Sequence, residues 1–175
     1  MRTDSRRRRA APLRFLLAAG AIVAAYFVAS TTSLFEERLL PGHLEANARA
    51  AASLLRFCRV DAAASGAQIG LEGFRLDVVR GCDALDPAAF LAAAILAFPA
   101  PLRRKLAGVA AGTFAIVALN VVRIAALSFA GSRWPAAVEA LHVEVFQVGF
   151  ILAVFLLWIG WARWAGGDPA IARRA

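Results

Sequence analysis

Residues 106–130 read LAGVAAGTFAIVALNVVRIAALSFA, and this stretch decides the fold class. Arg123 is its only ionisable side chain, and a helix of about 20 apolar residues is long enough to cross the hydrocarbon core of a bilayer. Three basic residues, Arg103, Arg104 and Lys105, stand immediately before it. A basic cluster beside a long apolar run is typical of a transmembrane helix that starts at the cytoplasmic face. The stretch therefore predicts an integral membrane protein.

Three more apolar runs lie on either side of this helix, at residues 13–31, 85–99 and 142–162. Hydrophobic residues make up 61% of the 175-residue chain, which favours a single membrane domain over residues 1–175. The predicted fold class is an all-α integral membrane protein with four transmembrane helices. The first run has features of both a retained anchor and a cleaved signal peptide, and we favour the anchor. The second run is short enough to be a buried or re-entrant segment instead.

The positive charges predict the orientation of these spans. The net charge is +8, and basic residues concentrate near residues 2–9, 103–105 and 163–174, each beside an apolar run. Retention of Lys and Arg on the cytoplasmic side gives a multi-pass protein of the cytoplasmic (inner) membrane, with both termini inside and residues 32–84 outside. Nucleic-acid binding is disfavoured, because no basic groove with stacking aromatic residues is present. The interfacial aromatic residues are expected to be Trp134 at the outer end and Trp158, Trp161 and Trp164 at the inner end.

The outer segment is predicted to hold an amphipathic helix and a short β-hairpin. Between residues 43 and 60 the apolar side chains recur at three- and four-residue steps. These side chains are Leu44, Ala48, Ala51, Leu55 and Cys58. Glu45 and Arg49 form an i,i+4 pair on another face of this helix. From residue 68 to residue 79 the apolar period is two, and Glu72-Gly73 supplies the turn of a hairpin that ends at Cys82.

Arg123 is a candidate functional residue because it lies inside a span. Ionisable side chains in that position are costly and usually face the protein interior. Asn120, three residues earlier on the same helical face, is expected to hydrogen-bond to the guanidinium or to its ligand. The alternative is an arginine that extends outward to lipid phosphate.

Cys82 and His142 are predicted at the same outer face as Arg123. Cys82 precedes the second span, where the helix N-terminus and the Arg123 cation would favour a thiolate. A packing role or a disulfide with Cys58 is the alternative, and Cys58 itself is expected to pack. His142 opens the last span and suits proton transfer near neutral pH, with Glu139 either orienting it or remaining solvated. A nucleophile, a cation and a proton carrier are the groups that acyl transfer requires.

No comparable role is predicted for His43. Two cysteines and two histidines show no recognisable metal-ligand spacing, and no Gly-rich phosphate loop follows a strand. Neither a metal nor a cofactor is therefore expected.

At the candidate residues the sequence resembles the exosortase/archaeosortase family of membrane transpeptidases. The resemblance extends from Gly81 to Trp161 and consists of Gly81-Cys82 at the second span, Asn120-Val121-Val122-Arg123-Ile124 in the third and His142 at the last. The chain is shorter than eight-span members and is similar to a compact, exosortase H-like subtype. Many members have Ser or Thr and then Gly or Ala after the cysteine. Here Asp83 and Ala84 follow, a departure that concerns the substrate subtype more than the three residues.

The resemblance implies that Cys82, Arg123 and His142 are catalytic, with Asn120 in support. The implied reaction cleaves the C-terminal sorting signal of exported proteins through a thioacyl-enzyme and transfers them to an acceptor. Such substrates carry a short motif, a membrane helix and a basic tail. The residues alone leave two other classes open. One is a non-enzymatic assembly or anion-binding membrane protein that uses Arg123, and the other is a membrane thiol oxidoreductase that uses Cys58 and Cys82.

Overall fold

A computed structural model describes residues 2–166, and side chains are described for residues 12–136, 138–142 and 144–166. The helices are α1 (Arg2–Ser30), α2 (Leu40–Phe57), α3 (Leu85–Ala97), α4 (Leu102–Arg133), α5 (Val138–Ala140) and α6 (Gln147–Gly166). Short π-helical segments, Leu34–Leu39 and Leu141–Phe146, precede α2 and α6, and a 3₁₀ turn, Pro135–Ala137, precedes α5. The strands are β1 (Ala63–Ser65), β2 (Gln68–Leu71) and β3 (Phe74–Asp77).

Within residues 2–166, three helical segments are long and apolar enough to cross a membrane. They are Pro12–Ser30, Leu102–Arg133 and Val138–Gly166. Helix α3 is apolar but has only 13 residues, which is about 20 Å at 1.5 Å per residue, against about 30 Å for the hydrocarbon core. It ends where Phe98 becomes extended (ψ 142°), a conformation that the following proline favours. The chain is therefore a multi-pass membrane protein, but helix length does not confirm the predicted fourth span.

Helix α4 runs back alongside α3. Two glycines of α4, one turn apart, leave room for side chains of the neighbouring helices. A Cβ built on Gly112 would overlap the side chain of Leu91 from α3, and one built on Gly108 would overlap the indole of Trp161 from α6. The Trp161 indole N–H also donates to the Arg104 carbonyl oxygen at 3.0 Å. Trp161 is buried, because its ring fills the space over a glycine of α4.

Helix α1 is joined to the rest of the chain near its C-terminal end. The Tyr26 hydroxyl donates to Asp86 Oδ1 of α3 at 2.8 Å. Arg80 donates to Ser30 Oγ at 2.9 Å and to Glu36 Oε1 at 2.7 Å. Little of the apolar span of α1 is otherwise buried by protein. Polar contacts thus fix the end of α1 beside the segment that leads to Cys82.

Helix α2 buries one face against the sheet and α4. Its buried residues are Leu40, Asn47, Ala48, Ala51, Ala52 and Leu55. The predicted pair of Arg49 and Glu45 forms on an exposed face, with 3.4 Å between Nη2 and Oε2.

Helix α2 ends at Phe57, three residues before the predicted end. Arg59 adopts a left-handed conformation, with φ at 63°. The Val60 N–H then donates to the Leu55 carbonyl oxygen at 2.9 Å, as in a Schellman motif. Cys58 at the helix end is exposed and free, which corrects the prediction that it packs on the apolar face.

The three strands form an antiparallel sheet in the order β1-β2-β3. Strands β2 and β3 form the predicted hairpin, with Leu71 opposite Phe74 and Gly73 of the turn at a φ of 72°. Strand β1 was not predicted, because three residues are too few for a period of two to be recognised. The Phe74 ring lies directly on Gly131 near the end of α4, where a Cβ would overlap it. This contact holds the hairpin against the helix.

Two buried clusters share α4. One cluster joins α2 and the sheet to Ile124 and Ala125 of α4, and the other joins α3 and α6 to Ile116 of α4. The part of α4 between these clusters contains Asn120 and Arg123. The candidate residues of α4 therefore lie where the two clusters meet.

Candidate active site

Cys82 lies in a tight turn that leads into α3. Gly81 and Ala84 both have left-handed backbone conformations, with φ values of 89° and 68°. The Leu85 N–H, the first of α3, donates to Asp83 Oδ1 at 3.0 Å. A left-handed conformation costs a non-glycine residue such as Ala84 about 1–2 kcal/mol. Surrounding contacts must therefore hold this turn in place.

Asn120, a residue of α4, hydrogen-bonds to the backbone of this turn. Its side chain is fully buried, at 0% exposure. Its Nδ2 donates to the Cys82 carbonyl oxygen at 2.8 Å and to Asn47 Oδ1 of α2 at 3.1 Å. The Asn120 Oδ1, which is the atom that could accept from the Arg123 guanidinium, has no hydrogen-bond partner, so the predicted bond to the guanidinium does not form. Asn120 faces the cysteine because Cys82 and Asn47 supply the acceptors that its amide reaches.

His43, a residue of α2, hydrogen-bonds to the next carbonyl oxygen of the turn. Its Nε2 lies 2.8 Å from the Asp83 carbonyl oxygen, and because a carbonyl only accepts, Nε2 carries the proton in this contact. Asn47 Nδ2 donates to the His43 carbonyl oxygen at 3.0 Å. His43, for which the sequence predicted no role comparable to that of His142, therefore lies in contact with the cysteine turn.

The Arg123 side chain points into the protein. It is 6% exposed, and its Cζ lies 5.3 Å from the centre of the Phe150 ring of α6, a cation–π distance. Its Nη2 lies 3.3 Å from His142 Nδ1 and 3.5 Å from His142 Nε2. No carboxylate pairs with Arg123 among the described side chains, and its buried Nε has no hydrogen-bond partner. The guanidinium faces the interior with donor capacity left over, unlike an arginine extended to lipid phosphate.

His142 lies between Arg123 and Cys82. Its Nε2 is 3.9 Å from Cys82 Sγ, a long sulfur–nitrogen contact of the kind that tightens when a substrate binds. Glu139 is exposed and makes no described hydrogen bond to the imidazole, so an orienting role is not observed. Cys82, Arg123 and His142 come from a loop, α4 and the segment before α6, and they meet at one end of the apolar helices.

Burial raises the pKa of the Cys82 thiol above its ordinary value. The Arg123 charge lowers this pKa and the Asp83 charge raises it, but burial is the largest of the three influences. The expected depression by Arg123 is therefore present and is outweighed. Cys82 and Cys58 are both free, so the disulfide alternative is not what the structure contains.

Sequence reasoning did not find His43, Asn47 and Phe150. Their spacing carries a weak signal at best: His43 and Asn47 are four residues apart and lie on one helical face. Phe150 resembles every other apolar residue of its helix. Their proximity to Cys82 and Arg123 arises from the packing of α2 and α6 on α4.

The fold and the site together define a multi-pass membrane protein with a cysteine, an arginine and a histidine in contact at one end of its apolar helices. The chain belongs to the transmembrane exosortase family, whose model matches residues 7–159. No curated protein and no solved structure matches it.

Proposed function

We propose that this exosortase is a cysteine transpeptidase or peptidase that cleaves the C-terminal sorting signal of exported proteins. The observation that carries the proposal is the contact of Cys82 Sγ with His142 Nε2 at 3.9 Å, beside an Arg123 guanidinium 3.3 Å from the same imidazole. A nucleophile, a proton carrier and a cation within reach of one another are what acyl transfer needs. Membership of the exosortase family supports the same role.

In the proposed first step, the Cys82 sulfur attacks the scissile carbonyl carbon and its proton passes to His142. A raised thiol pKa makes this proton transfer necessary, because a base must form the thiolate during the attack. The carbonyl oxygen becomes an oxyanion, and Arg123 stabilises it with the donors that no described carboxylate occupies. In this scheme Asn120 supports the step by holding the Cys82 carbonyl oxygen at 2.8 Å.

In the second step, the tetrahedral intermediate collapses and the C–N bond breaks. His142 returns its proton to the leaving amine, and a thioester joins the substrate to Cys82. An amine, a hydroxyl or a water molecule then attacks the thioester carbonyl and gives its proton to His142, and the C–S bond breaks as His142 returns this proton to the Cys82 sulfur. Transfer to an amine or hydroxyl sorts the protein to an acceptor, whereas water gives hydrolysis. Neither step requires a cofactor.

The proposed substrates are exported proteins that end in a recognition motif, a membrane helix and a basic tail. We place the enzyme in the cytoplasmic (inner) membrane with its termini inside and the site outward. In this arrangement α3 completes the fourth crossing. It runs along α4 from the Cys82 turn to Lys105, whose Nζ donates to the Leu96 carbonyl oxygen near the end of α3. The two ends of α3 are thus tied to α4 at Asn120 and at Lys105, which are 15 residues apart.

Replacement of Cys82 tests the reaction. The protein is co-expressed with an exported protein of the same genome that carries such a C-terminus and a tag after the basic tail. We expect Cys82→Ala to abolish loss of the tag while the variant still fractionates with membranes, since Cys82 is the only described cysteine whose sulfur contacts His142. Cys58→Ala is the matched control, because Cys58 is exposed and away from the site, and it retains processing. Unchanged cleavage in Cys82→Ala would overturn the proposal.

Because no described carboxylate pairs with the Arg123 guanidinium, a second candidate is a non-enzymatic protein that binds an anion. That function requires Arg123 but tolerates loss of the neighbouring nucleophile and base. His142→Ala separates the two. The transpeptidase loses at least about a hundredfold in processing rate, whereas a pure anion-binding protein keeps its activity.

A further inference from the structure

We propose that His43 and Asn47 of α2 are positioning residues that hold the Cys82 turn toward His142. The inference rests on the proposed function for its consequence in catalysis. Its structural part concerns the position of the Cys82 sulfur, and it is supported by hydrogen bonds to the backbone of the turn and not by contacts among the Cys82, Arg123 and His142 side chains. Neither residue contacts Sγ itself.

The carbonyl oxygens of Cys82 and Asp83 accept hydrogen bonds from side chains of two different helices. Asn120 of α4 binds the Cys82 carbonyl oxygen at 2.8 Å, and His43 of α2 binds the Asp83 carbonyl oxygen at 2.8 Å. Two consecutive peptide units, 82–83 and 83–84, are therefore each held by one hydrogen bond. A bond on one carbonyl alone would leave the other peptide unit free to rotate.

Asn47 connects these two hydrogen bonds into one network. Its Nδ2 donates to the His43 carbonyl oxygen at 3.0 Å, and its Oδ1 accepts from Asn120 Nδ2 at 3.1 Å. Asn47 and Asn120 are 3% and 0% exposed. Water cannot readily replace these bonds at buried sites, so each lost partner leaves an unsatisfied polar group. The network therefore resists any displacement of the turn relative to α2 and α4.

The turn needs this support because its own backbone is strained. Ala84 is left-handed at a φ of 68°, and without external bonds an alanine prefers to leave that region. Relaxation of the turn would move Sγ, because Cys82 is two residues from Ala84. Since Sγ is already 3.9 Å from His142 Nε2, a small movement breaks the contact on which the proposed proton transfer depends.

The charged groups of the turn do not replace this support. The Asp83 carboxylate accepts from the Leu85 N–H at 3.0 Å at the start of α3, and it makes no described hydrogen bond to α2. Arg80 binds Ser30 and Glu36 at the end of α1, upstream of the cysteine. Among the described residues, only His43 links α2 directly to the backbone after Cys82.

The test measures modification of Cys82 by N-ethylmaleimide in the full-length protein, purified in lipid nanodiscs in a Cys58→Ser background. Cys82 is half-buried in the parent. We expect His43→Ala and Asn47→Ala to speed labelling about two- to tenfold, the range that corresponds to one lost hydrogen bond. A released turn exposes Sγ and relieves the burial that chiefly suppresses its thiolate.

Two variants separate positioning from general destabilisation. His43→Gln keeps an N–H donor near the position of Nε2 and should restore the parent labelling rate. Leu55→Val removes one buried methylene from the same helix at a stability cost similar to that of a lost hydrogen bond, and should leave the rate within twofold. Equal rates in His43→Ala and the parent, or equal acceleration in Leu55→Val, would overturn the inference.

Processing of the exported substrate by the same variants separates this inference from the proposed function. His43→Ala should process more slowly by a similar factor, with rescue by His43→Gln. If Cys82→Ala still processes substrate while His43→Ala changes labelling, the proposed function fails and the positioning of Cys82 is retained. If Cys82→Ala is inactive while His43→Ala labels and processes like the parent, the positioning inference fails alone.

Discussion

Replacing Asn120 by alanine probes the central polar contact of the molecule. In the native protein its amide donates to the Cys82 carbonyl oxygen at 2.8 Å and to Asn47 Oδ1 at 3.1 Å, while its own Oδ1 is buried without a partner. Alanine removes both donors and leaves two buried acceptors unsatisfied. The same change also removes an unsatisfied oxygen, which offsets part of the loss.

The expected cost follows from these three groups. Each buried acceptor left without a donor costs about 1–3 kcal/mol, and removal of the orphan Oδ1 recovers a similar amount once. The space left by the amide adds roughly 1 kcal/mol. Asn120→Ala should therefore lower the free energy of unfolding by about 2–4 kcal/mol. Asn120→Asp leaves no cavity but faces oxygen with oxygen, so it should be at least as destabilising.

The assay is equilibrium unfolding of the purified protein in mild detergent with increasing sodium dodecyl sulfate. Ser128→Ala is the matched control, because Ser128 is equally buried on α4 and its hydroxyl has no partner. Its removal should be neutral or stabilising by up to about 1 kcal/mol. A change below about 0.5 kcal/mol in Asn120→Ala, or an equal loss in Ser128→Ala, would refute the reasoning.

Two further predictions concern the thiol and the end of α2. Burial raises the pKa of the Cys82 thiol, so in a Cys58→Ser background its alkylation by iodoacetamide should rise with pH and reach half its maximum at a higher pH than for free cysteine. Arg123→Gln removes the charge that lowers this pKa and should move the midpoint further up, so a midpoint that stays or falls would contradict the electrostatic role. Arg59 is exposed and left-handed at a φ of 63°, so Arg59→Gly should stabilise the protein by up to about 1 kcal/mol. Detergent unfolding measures this effect, and a loss of stability would show that the arginine side chain contributes more than its backbone costs.

The pattern of apolar and charged residues was enough to predict much of the architecture. A single arginine within a long apolar run identified the helix that contains residues 106–130, and the structure extends it to Leu102–Arg133. The period of two between residues 68 and 79 predicted the hairpin, because alternation is a local property that neighbouring residues express without the rest of the fold. Helix ends were less predictable. Helix α2 stops at Phe57 because of the left-handed conformation of Arg59, a basic residue in a position usually held by glycine.

Cys82, Arg123 and His142 could be identified from the sequence, because each residue type is unusual at its position relative to the predicted spans. A buried cation, a cysteine at the start of a span and a histidine at the start of another are recognisable one at a time. Their supporting contacts were not. Asn120 was expected to face Arg123 three residues away, yet it donates to Cys82 and Asn47, which are 38 and 73 residues distant.

The sequence by itself thus determined the membrane character, the main helices, the hairpin and the three residues proposed to act together. Periodicity and charge describe which face of an element is apolar and which residues are costly to bury, and these are local properties. Only the tertiary structure decided that Cys82 is half-buried with a raised thiol pKa and that His43 supports its turn. Those features depend on which acceptors and donors the packing of α2 and α3 on α4 brings within 3 Å, and that pairing is encoded in no single stretch of the chain.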